Sequence, residues 1–252
     1  ALGAPGGLPE KDDELIETAR QVIGAQTLDD RLYKRMVRFY RPEPNGGFNL
    51  IGAVGASSAA IFTRPSGQSL SQGIDAIYTR DTYIKYFLKQ LPDQANRLTQ
   101  ESSWVMGESK TSSSVKATQI SELLSQVRGL YIRDYIRIWD SYLKDVQIQR
   151  PAQFEQAVDL ARVLASPQSP LKKFLEEVSE NTRLAGGLVK TGEKLETLTN
   201  QKAQQTLSPS AALLAGSDFK ATDFEAPLEQ QVDDYFSDIN NLFEGNPPAY
   251  NQ

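Results

Sequence analysis

The chain has 252 residues, of which 39% are hydrophobic and 23% charged, a balance that suits one large soluble domain or two smaller ones. It contains no histidine and no cysteine, which excludes Cys- or His-ligated metal sites, histidine-based triads and thiol nucleophiles. The formal net charge of −5 gives no overall attraction to nucleic acid or anionic lipid, and there is neither a membrane-length apolar run nor a signal-peptide pattern in the N-terminal Ala-Leu-Gly-Ala-Pro-Gly-Gly.

Residues 1–10 are small and Gly/Pro-rich and predict a flexible entry. Asp12 or Asp13 caps a predicted helix through Ala25, with Leu15, Ile16, Ala19, Val22 and Ile23 as its stripe. A second helix over 27–40 starts on Thr27 and buries Leu28, Leu32, Met36 and Phe39 or Tyr40, until Pro42 and Pro44 stop it. Residues 42–73 interleave Phe48, Leu50, Ile51, Val54, Ile61 and Phe62 with many Gly and Ser breakers. They predict a partly ordered loop with one short helix or extended piece at 59–63. The GAVGASS run from Gly52 lacks the frame and the lysine of a phosphate loop. Thr79 is the predicted N-cap of a helix to about Gln100, whose stripe is Tyr83, Phe87, Leu91, Ala95 and Leu98. Pro92 predicts a kink or break near Lys89. Trp104, Val105 and Met106 form an apolar plug ahead of Gly107, and Ser109–Ser114 reads as loop or an exposed helix start.

The clearest helix runs from Ile120 to Val146. Ile120, Leu124, Val127, Tyr131, Tyr135, Ile138, Tyr142 and Val146 recur in steps of three and four, and Ile132, Ile136, Trp139 and Leu143 make a second apolar row. Two rows predict packing on two sides, with Arg128, Arg133, Arg137 and Asp140 between them. Pro151 opens a predicted helix to Ala165 with Phe154, Ala157, Val158, Ala161 and Leu164 inward. Ser169 as N-cap with Pro170 in the first turn opens another to Leu184, with Leu171, Leu175, Val178 and Thr182 in register. Residues 188–207 are a thinner helical pattern, and 208–227 read as a loop anchored by Leu213, Leu214, Phe219 and Phe224. A last helix over 227–243 turns Leu228, Val232, Tyr235, Phe236, Ile239 and Leu242 or Phe243 inward and its acidic residues outward. The fold expectation is mainly α: a multi-helix bundle with irregular loop segments and little or no β. It spans 11–245, divisible into sub-bundles 11–110 and 111–245, before a loose tail at 246–252.

The acidic pairs Asp29/Asp30, Glu176/Glu177 and Asp233/Asp234 lie beside apolar stripes and point about 100° apart, so they read as solvated faces. Asp134, near Arg133 and Arg137, is placed to pair within its helix or to hydrogen-bond a tyrosine from another element. The aromatics Tyr78, Tyr83, Tyr86, Phe87, Trp104, Tyr131, Tyr135 and Trp139 suit a sugar platform in type, but their helical spacing predicts core. Catalytic, cofactor and metal residues are expected to be absent, and the protein is expected not to be an enzyme.

Tyr78-Thr79, then Trp104 to Gly107, then Tyr131, Asp134, Tyr135 and Trp139, then Ser169-Pro170-Leu171 stand in one order along the chain. This set resembles the periplasmic part of the IcmF/TssM (VasK) family of type VI secretion, over roughly residues 48–243. The resemblance implies an inner-membrane scaffold of Gram-negative bacteria whose periplasmic region meets other copies of itself, other type VI inner-membrane components and an outer-membrane lipoprotein. It implies a structural, assembly-mediating role for these residues; the net charge of −5 disfavours a nucleic-acid partner. The chain shows no transmembrane span, nucleotide motif or late Arg-Tyr-Pro-Phe element with its β-rich terminal domain, so it reads as an excised helical segment. Lipoprotein contact is associated with that terminal part, which puts direct contact by this segment in doubt. The alternative expectation is a helical peptidoglycan- or carbohydrate-binding domain using exposed aromatics such as Trp104 and Trp139.

Overall fold

The structure, a computed structural model, describes residues 27–44, 46–106, 113–186 and 227–244. Helix α1 (Leu28–Phe39) is followed by two short helices, α2 (Leu50–Val54) and α3 (Ser58–Ile61), and by strand β1 (Phe62–Thr63). A 3-10 turn (Ala76–Tyr78) leads into α4 (Arg80–Thr82), a π turn (Tyr83–Phe87) and α5 (Leu88–Met106). The long α6 (Ser113–Asp145), strand β2 (Gln147–Ile148), α7 (Phe154–Leu164), α8 (Pro170–Thr182), α9 (Pro227–Tyr235) and α10 (Ser237–Asn241) complete the described chain. The expectation of a mainly α protein holds. The β component among the described residues is one antiparallel pair with Phe62 opposite Ile148, plus a bridge between Phe48 and Ile74. No helix among these residues is long and apolar enough to cross a membrane.

Helix α6 is the axis, packed by α1, α5 and α9. Its two apolar rows are both covered: Val127, Tyr131, Ile132, Tyr135 and Trp139 are fully buried and Tyr142 nearly so. Leu123, not Leu124, takes the buried place in the first turns, because the stripe drifts as it follows its neighbours. A chain of rings runs along this face. Phe87 meets Tyr131 at 4.2 Å between centroids, Tyr83 meets Tyr131 at 4.9 Å, and Trp139 meets Phe48 at 4.8 Å. Such pairs add about 0.5 to 1.5 kcal/mol each beyond the area they bury.

The segment read as a partly ordered loop is more structured than its glycine content predicts. Asn49 caps α2 by accepting the Gly52 amide at 2.8 Å, and Gly55 ends that helix at φ 91°, where a side chain would be strained. Gly73 lets the Phe48 strand approach, since a Cβ there would stand 1.8 Å from the Phe48 carbonyl oxygen. Arg64 then ties the segment to the end of α6: its Nε donates to Asp145 at 2.7 Å, and its guanidinium lies 5.0 Å from the Tyr142 ring centre. Ser66 donates its hydroxyl to the same carboxylate at 2.6 Å.

Three other expectations need correction, and the choice left open between Phe39 and Tyr40 is settled. Pro92 does not break its helix; α5 runs through it, and the change of winding is the π turn one turn earlier. Phe39 is 61% exposed, and it is Tyr40 that packs inward, against Tyr86 at 4.8 Å. Helix α7 begins at Phe154 instead of Pro151, and Phe154 is 84% exposed with Val158 also exposed. Leu164 faces the core as expected, and Leu160 joins it there. The last helix divides at Phe236 into α9 and α10, which turns Tyr235 out to solvent, where its hydroxyl reaches Asp140. The stripe from Tyr83 and Phe87 of the π turn to Leu91, Ala95 and Leu98 of α5 is buried as expected. The helices expected at 12–25 and 188–207, the Leu213 to Phe224 anchors and the tail lie outside the described residues.

Trp139→Ala removes a fully buried ring and is expected to cost about 3 to 5 kcal/mol in denaturant unfolding. Phe154→Ala is expected to stay within about 0.5 kcal/mol of the parent. The Ser66 hydroxyl, with its amide and Arg64, holds Asp145 below the ordinary aspartate value of 3.8, against a smaller opposing effect of burial. Because the folded value is the lower one, this stabilisation is present above the unfolded pKa and is lost as pH falls through the folded one. Asp145→Asn is therefore expected to flatten the loss of stability between about pH 5 and pH 2, measured by urea midpoints at each pH.

Candidate functional site

Three ring donors at steps of four on α6 point at backbone carbonyls of other elements. Tyr131 donates its hydroxyl to the Ile77 oxygen at 2.6 Å, and Trp139 donates Nε1–H to the Tyr78 oxygen at 2.9 Å. Tyr135 donates to the Asn181 oxygen at 2.7 Å. These carbonyls end the 3-10 turn and α8, where a helix leaves its last acceptors without internal partners. The rings thus dock two helix ends onto α6 and satisfy their orphan groups at once. Burial pushes the Tyr131 and Tyr135 hydroxyls well up, so both remain donors throughout the ordinary pH range.

Asp134 lies on the adjacent face and meets both expectations for it. Arg137 donates to its Oδ1 at 2.9 Å within the helix, while Tyr33 of α1 donates to its Oδ2 at 2.6 Å. The Tyr78 and Tyr33 hydroxyl oxygens are 3.0 Å apart. Tyr33 has one proton and gives it to the carboxylate, so Tyr78 is the donor to Tyr33. Burial, then the hydrogen bond to Asp134, pushes the Tyr33 hydroxyl well above its usual range. Tyr78 therefore joins α6 twice, through its carbonyl and through this relay.

Thr79 stands at the start of α4 in extended conformation, but its hydroxyl donates back to the Ala76 oxygen at 2.8 Å instead of capping forward. Ser169 and Pro170 open α8 as expected and both are buried; the Ser169 side chain makes no cap bond, and its carbonyl accepts the Lys173 amide at 3.1 Å. This pair sits at the opposite end of α8 from Asn181, about 18 Å away along the helix, and does not join the other residues. Trp104 lies on α5, and its side chain is outside the described part, as is Gly107.

A buried charge pair was not expected. Arg128, read as lying between the apolar rows, donates to Glu229 of α9 at 2.7 and 2.8 Å, and Tyr83 donates to the same carboxylate. Glu229 is 1% exposed and Arg128 8%. Burial alone would lower the Arg128 pKa, but Glu229 keeps it above the ordinary arginine value. The signal was present in spacing: Glu229 stands three residues before Val232 and seven before Phe236, on the buried face of its helix. A polar network beside it joins Asn240 to Ser179 at 3.0 Å and Thr182 at 3.1 Å. Next to it lies a polar cavity of about 270 Å³ lined by Arg80, Arg183, Asp233 and Asn240, in which Arg183 donates to the Asn240 carbonyl oxygen. Asp233 there accepts the Ala185 and Gly186 amides. Burial pushes its carboxyl up, with those amides opposing. Among the described residues there is no group of three or more acidic side chains able to hold a metal ion.

Glu229→Ala leaves Arg128 as an uncompensated buried cation and is expected to cost about 3 to 5 kcal/mol in denaturant unfolding. The double replacement Arg128→Met with Glu229→Leu is expected to recover most of that loss, because no buried charge then remains.

The family model described as IcmF-related, intracellular multiplication and human macrophage-killing, matches residues 5–183. The type VI secretion system component TssM1 of Pseudomonas aeruginosa is 29% identical over 249 residues, which is 94% of this chain and 22% of that protein. The chain thus spans about a fifth of the length of this curated relative. No solved structure gives a significant match. With the family model covering well over half of its length, the chain belongs to the IcmF-related family.

Proposed function

We propose that this chain is a non-enzymatic scaffold segment of a type VI secretion membrane complex, lying in the periplasm of a Gram-negative cell. There it assembles with other copies of itself and with other inner-membrane components of the system. The likeness to a protein named as a type VI secretion component supports the system. The use made of the motif residues supports the role: Tyr131, Tyr135 and Trp139 are fully buried, and each spends its one polar donor on a backbone carbonyl. Residues used in that way hold elements at fixed distances and leave no reactive group facing a substrate. A sugar platform is disfavoured for the same reason, since Tyr78, Tyr83, Phe87, Tyr131, Tyr135 and Trp139 present no open ring face.

The absence of cysteine makes the compartment directly testable. A single Glu176→Cys substitution on the exposed side of α8, in the full-length protein in cells with any cysteine outside this segment replaced by serine, is expected to react with a membrane-impermeant maleimide once the outer membrane is permeabilised. Labelling that appears only after the inner membrane is lysed would place the segment in the cytoplasm and reject this reading. Deletion of the segment is expected to abolish recovery of the assembled envelope complex; a complex that still forms would reject the scaffold role.

A further inference from the structure

Two exposed patches of the described surface match in composition and oppose each other in charge. At the C-terminal end of α1, Phe39 stands 61% exposed between Arg38 and Arg41, and both arginines are exposed. Arg41 donates to the carbonyl oxygens of Arg38 and Tyr40 at 3.3 and 3.4 Å, and among the described residues neither guanidinium has a carboxylate partner. The acidic residues of this helix, Asp29 and Asp30, sit in its first turn, at the other end. On α9 and α10, Tyr235 is 53% and Leu242 37% exposed, close in sequence to the exposed carboxylates of Asp234 and Asp238. Asp234 accepts from Gln230 at 2.8 Å, and among the described residues neither carboxylate forms an ion pair. An exposed ring set among unpaired charges has the make-up of an interface anchor.

The patches belong to helices on different flanks of α6. Helix α1 reaches Asp134 through Tyr33, while α9 reaches Asp140 through Tyr235. Six residues on a helix of 3.6 per turn set these contacts about 120° apart. Charge decides what can cover the patches. Two copies meeting through the same patch bring like charges together, so a symmetric contact through either one is repulsive. An anionic lipid surface suits Arg38 and Arg41, but it repels a chain of net charge −5 and offers nothing to Asp234 and Asp238. A second copy supplies both complements at once, since every copy carries both patches.

We propose that the α1 patch of one copy docks on the α9 and α10 patch of the next, with Arg38 and Arg41 facing Asp234 and Asp238 while Phe39 packs against Tyr235 and Leu242. The contact is head-to-tail, so the copies close into a ring or extend as a row. The inference rests on the scaffold reading and deepens it, by naming the surfaces through which copies meet.

The test uses full-length copies in cells, with any cysteine outside this segment replaced by serine. One copy carries Glu43→Cys, beside the basic patch, and the other Asn241→Cys, beside the acidic one; both positions are exposed. Treated with a short bis-maleimide, the coexpressed pair is expected to give a mixed dimer at about tenfold or more over either variant alone, because a head-to-tail contact brings position 43 to 241 and not to a second 43. Arg38→Glu with Arg41→Glu in every copy is expected to lower that product about tenfold, and adding Asp234→Lys with Asp238→Lys to the same chain is expected to restore it. Absence of the mixed product overturns the inference; if the envelope complex is still recovered, the scaffold reading stands. A Glu43→Cys product equal to the mixed one, or a loss that the second pair of substitutions does not reverse, also overturns it. So does binding of the purified chain to phosphatidylglycerol vesicles that Arg38→Glu abolishes while no mixed product forms, which assigns the basic patch to lipid.

Discussion

The fold depends on the requirement that buried backbone carbonyls be hydrogen-bonded. The turn at Ala76–Tyr78 and the end of α8 both approach α6 with their final acceptors unspent, the first buried and the second partly buried. Tyr131, Trp139 and Tyr135 supply the donors. A hydrophobic ring without a polar tip would fill the same space and leave those oxygens orphaned, at a cost of about 1 to 3 kcal/mol each. This is why tyrosine and tryptophan, and not phenylalanine, stand at these three places. It also explains how elements 46 to 61 residues apart in sequence form one physical unit.

Around that seam the molecule uses charge sparingly and specifically. The exposed i,i+3 and i,i+4 pairs such as Arg162 with Asp159 and Lys144 with Asp140 contribute little, as solvated pairs do. Arg128 with Glu229 differs because neither can be left alone: breaking the pair strands a charge in the core. A pair of this kind adds less to net stability than to the selection of one arrangement, here the seating of α9 against α6. The buried rings and the Arg128–Glu229 pair fix how α1, α5 and α9 sit on α6.

The helix stripes were readable because burial on one face imposes a 3.6-residue period whatever the partner. Tyr83 to Leu98 and Val127 to Tyr142 are buried as their spacing predicts. The same period misled at α7, where Phe154 and Val158 are amphipathic but exposed: periodicity reports that a face is apolar, not that anything covers it. Residues 42–73 depart in the opposite direction, with more order than their composition predicts. Their helices are one turn long, and their order comes from contacts to Asp145 and Ile74, distant in sequence. The role of Tyr33 is likewise illegible, and the spacing of Glu229 shows a buried position but not its partner, since each partner stands about a hundred residues away.

By itself, the sequence determined the helical class, the central place of the helix around Tyr131 to Trp139, the exclusion of thiol and imidazole chemistry, and the ordered motif that marks the family. These are local properties: period, capping, composition and order along the chain. Only the tertiary structure decided what the motif does. It brings Tyr78 beneath Trp139, Tyr33 to Asp134 and Glu229 to Arg128, because hydrogen-bond and charge partners are selected by proximity in space, which no spacing along the chain encodes.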